Sequence, residues 1–305
     1  MSDRKKIMLL TSWVSVLGNA FLSLAKIIIG LISGSLAVLG DGLDSASDVV
    51  TSLIILITTP IISSPPNTKY AYGREKAENV ASTILAFVIF FMGGQMVITS
   101  IGKIIHPEAV QMPSLLAIWV TLISIVGKLL LALYQFQQGK RVDSSMLKAN
   151  AVNMRNDVII STGVLIGLFF VFVLEMPLLD PIVALLIGLY IIYSAVGIFK
   201  DANIVLMDGV SDTSIYKEII QAVERVPGAN NPHRIRSHQI GNMYSIVLDI
   251  EVAGDLLLTE AHHIAQSVED SIKQALDNIY DIVVHVEPLG NTHCEEKYGV
   301  NKHNL

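Results

Sequence analysis

Three aspartates, Asp41, Asp44 and Asp48, stand inside an apolar stretch, 35–57, that is long enough to cross a membrane. Steps of three and four residues put their side chains on one helical face. A second apolar stretch repeats the spacing with Asn150, Asn153 and Asp157. A charged side chain at the bilayer centre costs roughly 2.5–3.5 kcal/mol even on the lenient insertion scales. Three on one face therefore call for a cation, protons or polar partners, and two helices that each present a stripe of oxygen atoms suit a chain that holds and moves a cation.

The rest of the chain agrees with a membrane setting. Hydrophobic residues make up 52% of the 305 and charged residues only 16%, against about a quarter charged in soluble domains. Six runs reach the roughly 20 apolar residues that a spanning helix needs: 7–30, 35–57, 79–105, 112–136, 145–173 and 178–199. Turn chemistry separates them at Ser33-Gly34, Ser63-Ser64-Pro65-Pro66-Asn67, His106-Pro107, Gln138-Gly139-Lys140 and Met176-Pro177. Basic residues gather at Arg4, Lys5 and Lys6, then at Lys69, Arg74 and Lys76, then at Lys140, Arg141 and Lys148, and finally at Lys200. These are the ends and alternate connections, so the positive-inside rule predicts a multi-pass protein with both termini cytoplasmic, in the cell membrane. The N-terminal segment lacks a signal-peptide pattern, and the first run is expected to stay as a span. Lys26, Lys128 and Arg155 fall within apolar runs and are expected to snorkel, with stems in lipid and charged heads at the interface. Cys294, the single cysteine, excludes an intrachain disulfide or thiolate cluster and reads as an incidental residue.

After Asp201 the character changes. From there to Leu305 the chain has 16 Asp and Glu against 7 Lys and Arg, an acidic balance that argues against nucleic-acid binding. Residues 213–226 read as an amphipathic helix behind a Ser211-Asp212 cap, ended by Pro227-Gly228. Residues 244–252 alternate, with Tyr244, Ile246, Leu248, Ile250 and Val252 on one face and Asp249 and Glu251 on the polar one. A strand at 233–240 joins them through Gly241-Asn242, a helix capped by Thr259 runs to 276, and 281–287 is a last strand. The expected fold is thus an α-helical membrane protein of six transmembrane helices, 1–200, followed by a small cytoplasmic α+β domain, 201–290, of α-β-β-α-β, ferredoxin-like order. A polar, loose tail, 291–305, completes it.

At 1.5 Å rise per residue, Asp44 and Asp48 fall ~14 and ~20 Å below the outer surface. Adjacent antiparallel helices would set Asp48 level with Asn153 and Asp44 level with Asp157, so that four side chains form an oxygen cage flanked by Asp41 and Asn150. Gly40, Gly42, Ser45 and Ser47 alone would suit close helix packing, which does not explain two matching acidic stripes. An intramembrane aspartyl protease would use two such aspartates, but its Gly-x-Gly-Asp context is missing; Gly40-Asp41-Gly42 is not it. A metal sensor acting only through the soluble domain would leave the stripes unexplained.

With its six spans, D-x-x-x-D in the second, a matching Asp157 in the fifth and an acidic α-β-β-α-β tail, the chain resembles the cation diffusion facilitators along nearly its whole length. Local phrases support this: Ser35-Leu36-Ala37-Val38-Leu39, Tyr72-Gly73-Arg74-Glu75-Lys76-Ala77-Glu78 and Leu206-Met207-Asp208. The resemblance implies a homodimeric secondary transporter, not an enzyme, that exports a divalent metal from the cytoplasm in exchange for protons. It implies a transport site at Asp44, Asp48, Asn153 and Asp157, and an ion pair, Lys76 with Asp208, that ties the membrane part to the cytoplasmic domain at the dimer interface. It further implies regulatory metal ligands at His233, Asp249, His262, His285 and Glu287, with metal as substrate and ligand rather than cofactor.

Zinc-transporting relatives usually have histidine at the position of Asn153 and often at that of Asp44; this chain has neither. All eight of its histidines, including His106, His238, His263, His293 and His303, lie outside the expected spans. Without imidazole or thiolate the site favours harder cations. Mn²⁺ is the expected substrate, as in the manganese-exporting members, followed by Fe²⁺, with Zn²⁺ or Co²⁺ as alternatives. Residues 67–74, where some relatives bind metal, have no acidic residue or histidine, and no metal is expected there. Because Asn153 cannot titrate, antiported protons would be carried by carboxylates.

Overall fold

Along the long apolar helices many buried residues are polar and many exposed ones large and apolar, which is what a lipid solvent demands. The computed structural model describes residues 3–62, 64–141, 145–241, 243–291 and 299–302. Ser63, Asn242, His293, Cys294 and His303, named above, lie outside the described residues, as do the side chains of Arg4, Lys5, Lys6 and Lys148. Two compact units form: Met1–Thr59 with Ala81–Phe199, and Pro60–Val80 with Lys200–Leu305.

The first unit is built on long helices: α1 (Asp3–Ser33), α2 (Leu36–Ile62), α3 (Lys76–Ile105), α4 (Leu116–Arg141), α5 (Ser145–Val173) and α6 (Leu179–Leu206). Five have the length and apolar character to cross a membrane; α2, with its three aspartates, is the sixth long helix. Phe21, Phe91, Trp119 and Tyr193 project outward at 62–77% exposure. Inside, Val38, Ile89, Val164, Leu168 and Ile191 pack together. Thr11, Ser23, Thr121, Ser124, Gln135 and Ser161 are buried as well.

Gly34, at φ +73°, makes the turn from α1 into α2, a conformation cheap only for glycine. Eight residues on, a Cβ at Gly42 would come within 3.0 Å of the Ile27 backbone nitrogen and 3.1 Å of Lys26 Cβ. The missing side chain lets α1 and α2 touch where Lys26 faces Asp41. The start of α2 is finished from far along the chain. Asp180, in the first turn of α6, accepts hydrogen bonds from Ser35 Oγ at 2.5 Å, Leu36 N at 2.7 Å and Ala37 N at 3.4 Å. A carboxylate there satisfies orphan N–H groups and complements the helix dipole.

The second unit has α7 (Ser214–Glu224), β1 (Asn230–Ile240), β2 (Met243–Val252), α8 (Leu258–Ala275) and β3 (Ile279–Pro288). The sheet runs β1-β2-β3, antiparallel then parallel. Ile215, Ile219 and Val223 of α7 and Val268 and Ile272 of α8 bury their faces against Ile235, Ile246, Leu248 and Ile250. Asp212 accepts a hydrogen bond from Ser214 N at 2.9 Å, which holds its carboxyl below the usual range.

Three expectations change here. Thr259 lies inside α8 rather than capping it; the bond that closes the helix start runs from Leu257 N to Glu260 Oε2 at 2.9 Å. The polar face of β2 is buried, with Asp249 at 2% and Glu251 at 7% exposure, because polar partners cover it. Of the polar tail, Val300 pairs with Ile235 on the free edge of β1 through bonds of 2.9 and 3.0 Å. Covering that edge occupies backbone groups otherwise open to another strand.

Replacing Asp180 with alanine should lower the stability of the detergent-solubilised protein by about 1–3 kcal/mol, the range for leaving buried donors unsatisfied. Thermal unfolding monitored by circular dichroism would show it, with Asp180→Asn giving a smaller loss.

Candidate metal centre

A cavity of about 190 Å³ opens among α1, α2 and α5, and Asp48, Asn150, Asn153 and Asp157 line it together with Ser15, Asn19, Thr51 and Ser52. Helical spacing explains the gathering: Asp48, Thr51 and Ser52 share one face of α2, as Asn150, Asn153 and Asp157 share one face of α5. Asn19 Oδ1 is buried with no hydrogen-bond partner among the described residues, an oxygen acceptor available to a ligand. Met154 brings the only sulfur to the lining among the described residues and is itself 2% exposed. Asn150 lines the cavity directly. Asp44 lies one turn nearer the α2 N-terminus, half-buried and outside the lining, with Asp157 among its charged neighbours.

Asp41 has a different environment. Its Oδ2 is 2.7 Å from Lys26 Nζ, both side chains almost wholly buried, and Ser161 Oγ donates to its Oδ1 at 2.8 Å. Lys128 Nζ donates to Asp157 Oδ2 at 2.8 Å and to Ser45 Oγ at 2.9 Å. Lys26 Nζ reaches Ser161 Oγ at 2.9 Å and Ser45 Oγ at 3.4 Å. The expectation that Lys26 and Lys128 snorkel is thus wrong: both are buried, at 0 and 1% side-chain exposure. The physical reason is that each meets an aspartate, so neither head has to reach water. Arg155, by contrast, is exposed.

The cytoplasmic-domain residues divide. Ligand atoms of His233, Asp249 and Glu287 lie within 4.8 Å of one another. Register breaks flank His233 on β1, with Asn231 at φ +43° and Arg234 at φ +48°. Such bulges re-aim side chains, and His233 is 4% exposed. Its Nδ1 is 2.7 Å from Asn231 O, and its Nε2 is 3.5 Å from Glu287 Oε2. His285, opposite Asp249 in the β2–β3 register, has Nε2 3.3 Å from Glu287 Oε1 but is 61% exposed. Arg234 donates to Asp249 Oδ2 at 2.7 Å. His262 is not gathered in; it sits exposed on α8 beside His263.

Lys76 and Asp208 do meet, Nζ donating to Oδ1 at 2.5 Å. That bond holds the Asp208 carboxyl below the usual carboxylate range. Sequence reasoning names Ser45 only as a small packing residue and misses Ser161, Asn19 and the pairing of the lysines. The signal available was an ionisable residue deep in a span, which points first to a partner within the bundle.

These features define a polytopic membrane protein with a polar, acidic cavity inside its helical bundle and a soluble domain with a potential metal cluster. A model of the cation efflux transmembrane domain matches residues 12–207, and a model of the cation efflux protein cytoplasmic domain matches 212–289. The chain therefore belongs to the cation efflux, or cation diffusion facilitator, family of divalent-metal transporters. It is similar to the manganese efflux system protein MneS of Bacillus subtilis, 32% identical over 90% of this chain and 94% of that protein. It is similar as well to the cation-efflux pump FieF of Pectobacterium atrosepticum, 29% identical over 84% and 85%. Among solved structures, the metal-bound C-terminal domain of a CzcD transporter from Thermotoga maritima matches 26% of this chain and 93% of that one at 38% identity, with a TM-score of 0.26.

A double-mutant cycle on Lys76 and Asp208 should give a coupling of about 0.2–1 kcal/mol, as for exposed pairs. Because the folded carboxyl is depressed, that contribution is complete above about pH 4 and disappears as pH falls through the lower folded value. Chemical unfolding of the four proteins at pH 7, 5 and 3 would test the sign; a coupling already lost at pH 5 contradicts it.

Proposed function

We propose that this transporter exports Mn²⁺ from the cytoplasm in exchange for protons, through Asp44, Asp48, Asn153 and Asp157, with Asn150 and Asn19 beside them. The carrying observation is the donor set of the cavity: carboxylate, amide and hydroxyl oxygens, without imidazole or thiolate among the described residues. Such donors suit Mn²⁺ better than Zn²⁺. Similarity to the manganese efflux system protein MneS supports the same metal.

The cavity sits toward the C-terminal half of α2 and the N-terminal half of α5. Charge distribution marks that end as cytoplasmic, so this reading takes the conformation as open inward, with both termini cytoplasmic in the cell membrane. Residues 1–200 then carry transport. Residues 201–290 bind regulatory metal through His233, Asp249 and Glu287, with His285 adjoining, and pair two copies as a homodimer. Protons move on the carboxylates, since Asn153 has no titratable group.

Asp48→Ala and Asp157→Ala should each abolish Mn²⁺ transport and weaken Mn²⁺ binding, because each removes a carboxylate from the donor set. Proteoliposomes tested in parallel with Mn²⁺, Fe²⁺, Zn²⁺, Co²⁺ and Mg²⁺ would measure it; transport retained by both variants ends the site assignment.

Asn153→His should raise Zn²⁺ transport relative to Mn²⁺, because it adds a borderline nitrogen ligand. An unchanged metal profile in the same proteoliposomes would place selectivity elsewhere.

A further inference from the structure

Lys128 is the one ammonium among the described residues that is bonded to a carboxylate lining the cavity, Asp157. The Lys26 ammonium is engaged behind it, by Asp41 and Ser161. Ser45 Oγ lies between the two lysines, 2.9 Å from one and 3.4 Å from the other. Counted as ionised, the carboxylates of Asp41, Asp44, Asp48 and Asp157 against these two ammoniums leave two negative charges, the complement of one divalent cation.

A dication bound at Asp48 and Asp157 repels the ammonium at Asp157 Oδ2 and competes for that oxygen. The ammonium has a second seat already made, because Ser45 Oγ holds it now. Conversely, when the dication leaves, Asp157 would be an uncompensated buried charge unless a cation replaces it.

We propose that Lys128 is a tethered stand-in for the transported cation. Its ammonium neutralises Asp157 in the metal-free carrier, gives up that oxygen when a dication enters, and takes it back when the dication leaves. Lys128 is thereby a positioning residue that weakens metal binding and lets the metal-free carrier change conformation. The proposal rests on the reading of Asp48 and Asp157 as metal ligands.

The test uses full-length Lys128→Gln, Lys128→Arg and Asp157→Asn proteins, with Mn²⁺, Zn²⁺ and Co²⁺ in parallel so that the outcome does not hang on one metal. Calorimetry should show Lys128→Gln binding its best metal about tenfold or more tightly than the native protein, and Lys128→Arg returning toward the native value. In proteoliposomes Lys128→Gln should lose net metal flux yet keep metal-for-metal exchange, which bypasses the return of the metal-free carrier. A purely structural salt bridge would lower both fluxes together. Should Lys128→Gln fail to fold alone, metal added during purification is expected to recover it. Unchanged or weaker affinity, exchange lost along with net flux, or a variant that metal does not recover overturns the proposal while leaving the site standing. Native affinity in Asp157→Asn overturns the site and the proposal together.

Discussion

Two buried lysine–aspartate pairs organise the membrane unit. Lys26 on α1 meets Asp41 on α2, and Lys128 on α4 meets Asp157 on α5. Ser45 on α2 receives both ammoniums. Desolvating one such ion costs several kcal/mol, which only good geometry with its counter-ion and further hydrogen bonds offsets. Four helices are consequently tied at one depth. The small residues of α2, Gly42 above all, are what allow the approach that closes the first pair.

This arrangement divides the acids of α2 by role. Asp41 is paired with a lysine and hydrogen-bonded by a serine, away from the cavity. Asp48 lines the cavity, and Asp44 lies between. A stripe of like residues thus becomes a structural end and a ligand-accessible end. The difference comes from what faces each residue: Lys26 opposite one, an open space with amide and hydroxyl oxygens opposite the other.

The soluble unit solves a related problem in water. Its sheet buries an apolar face under α7 and α8, and its other face places Asp249, Glu251 and Glu287 out of solvent. Arg234, Asn231, the Gly290 backbone and His233 cover these acids. Bulges on β1 make this possible by turning His233 inward while the strand continues to pair. Two of these acids, Asp249 and Glu287, gather with His233 into a cluster that could hold a metal ion.

Local periodicity carried much of this protein's design in its sequence. Six long apolar runs, two oxygen stripes at helical spacing, the alternation of β2 and the α-β-β-α-β order follow from patterns that repeat every two or 3.6 residues. Partners far apart in the chain did not show themselves. Lys26 bonds Ser161 across 135 residues, and Asp180 completes the start of α2 across about as many, with Ser35 145 residues away. A lysine in an apolar run reads the same whether it reaches the interface or an aspartate, since its stem is long enough for either. Likewise, the family resemblance put His233 and His262 on equal footing as ligands, and only the bulged backbone brought His233 to Asp249 and Glu287 while the outer face of α8 kept His262 in solvent. The sequence by itself determined which helices and strands form and which faces are polar; the tertiary structure decided which charges neutralise one another, because that depends on helix contacts no local pattern encodes.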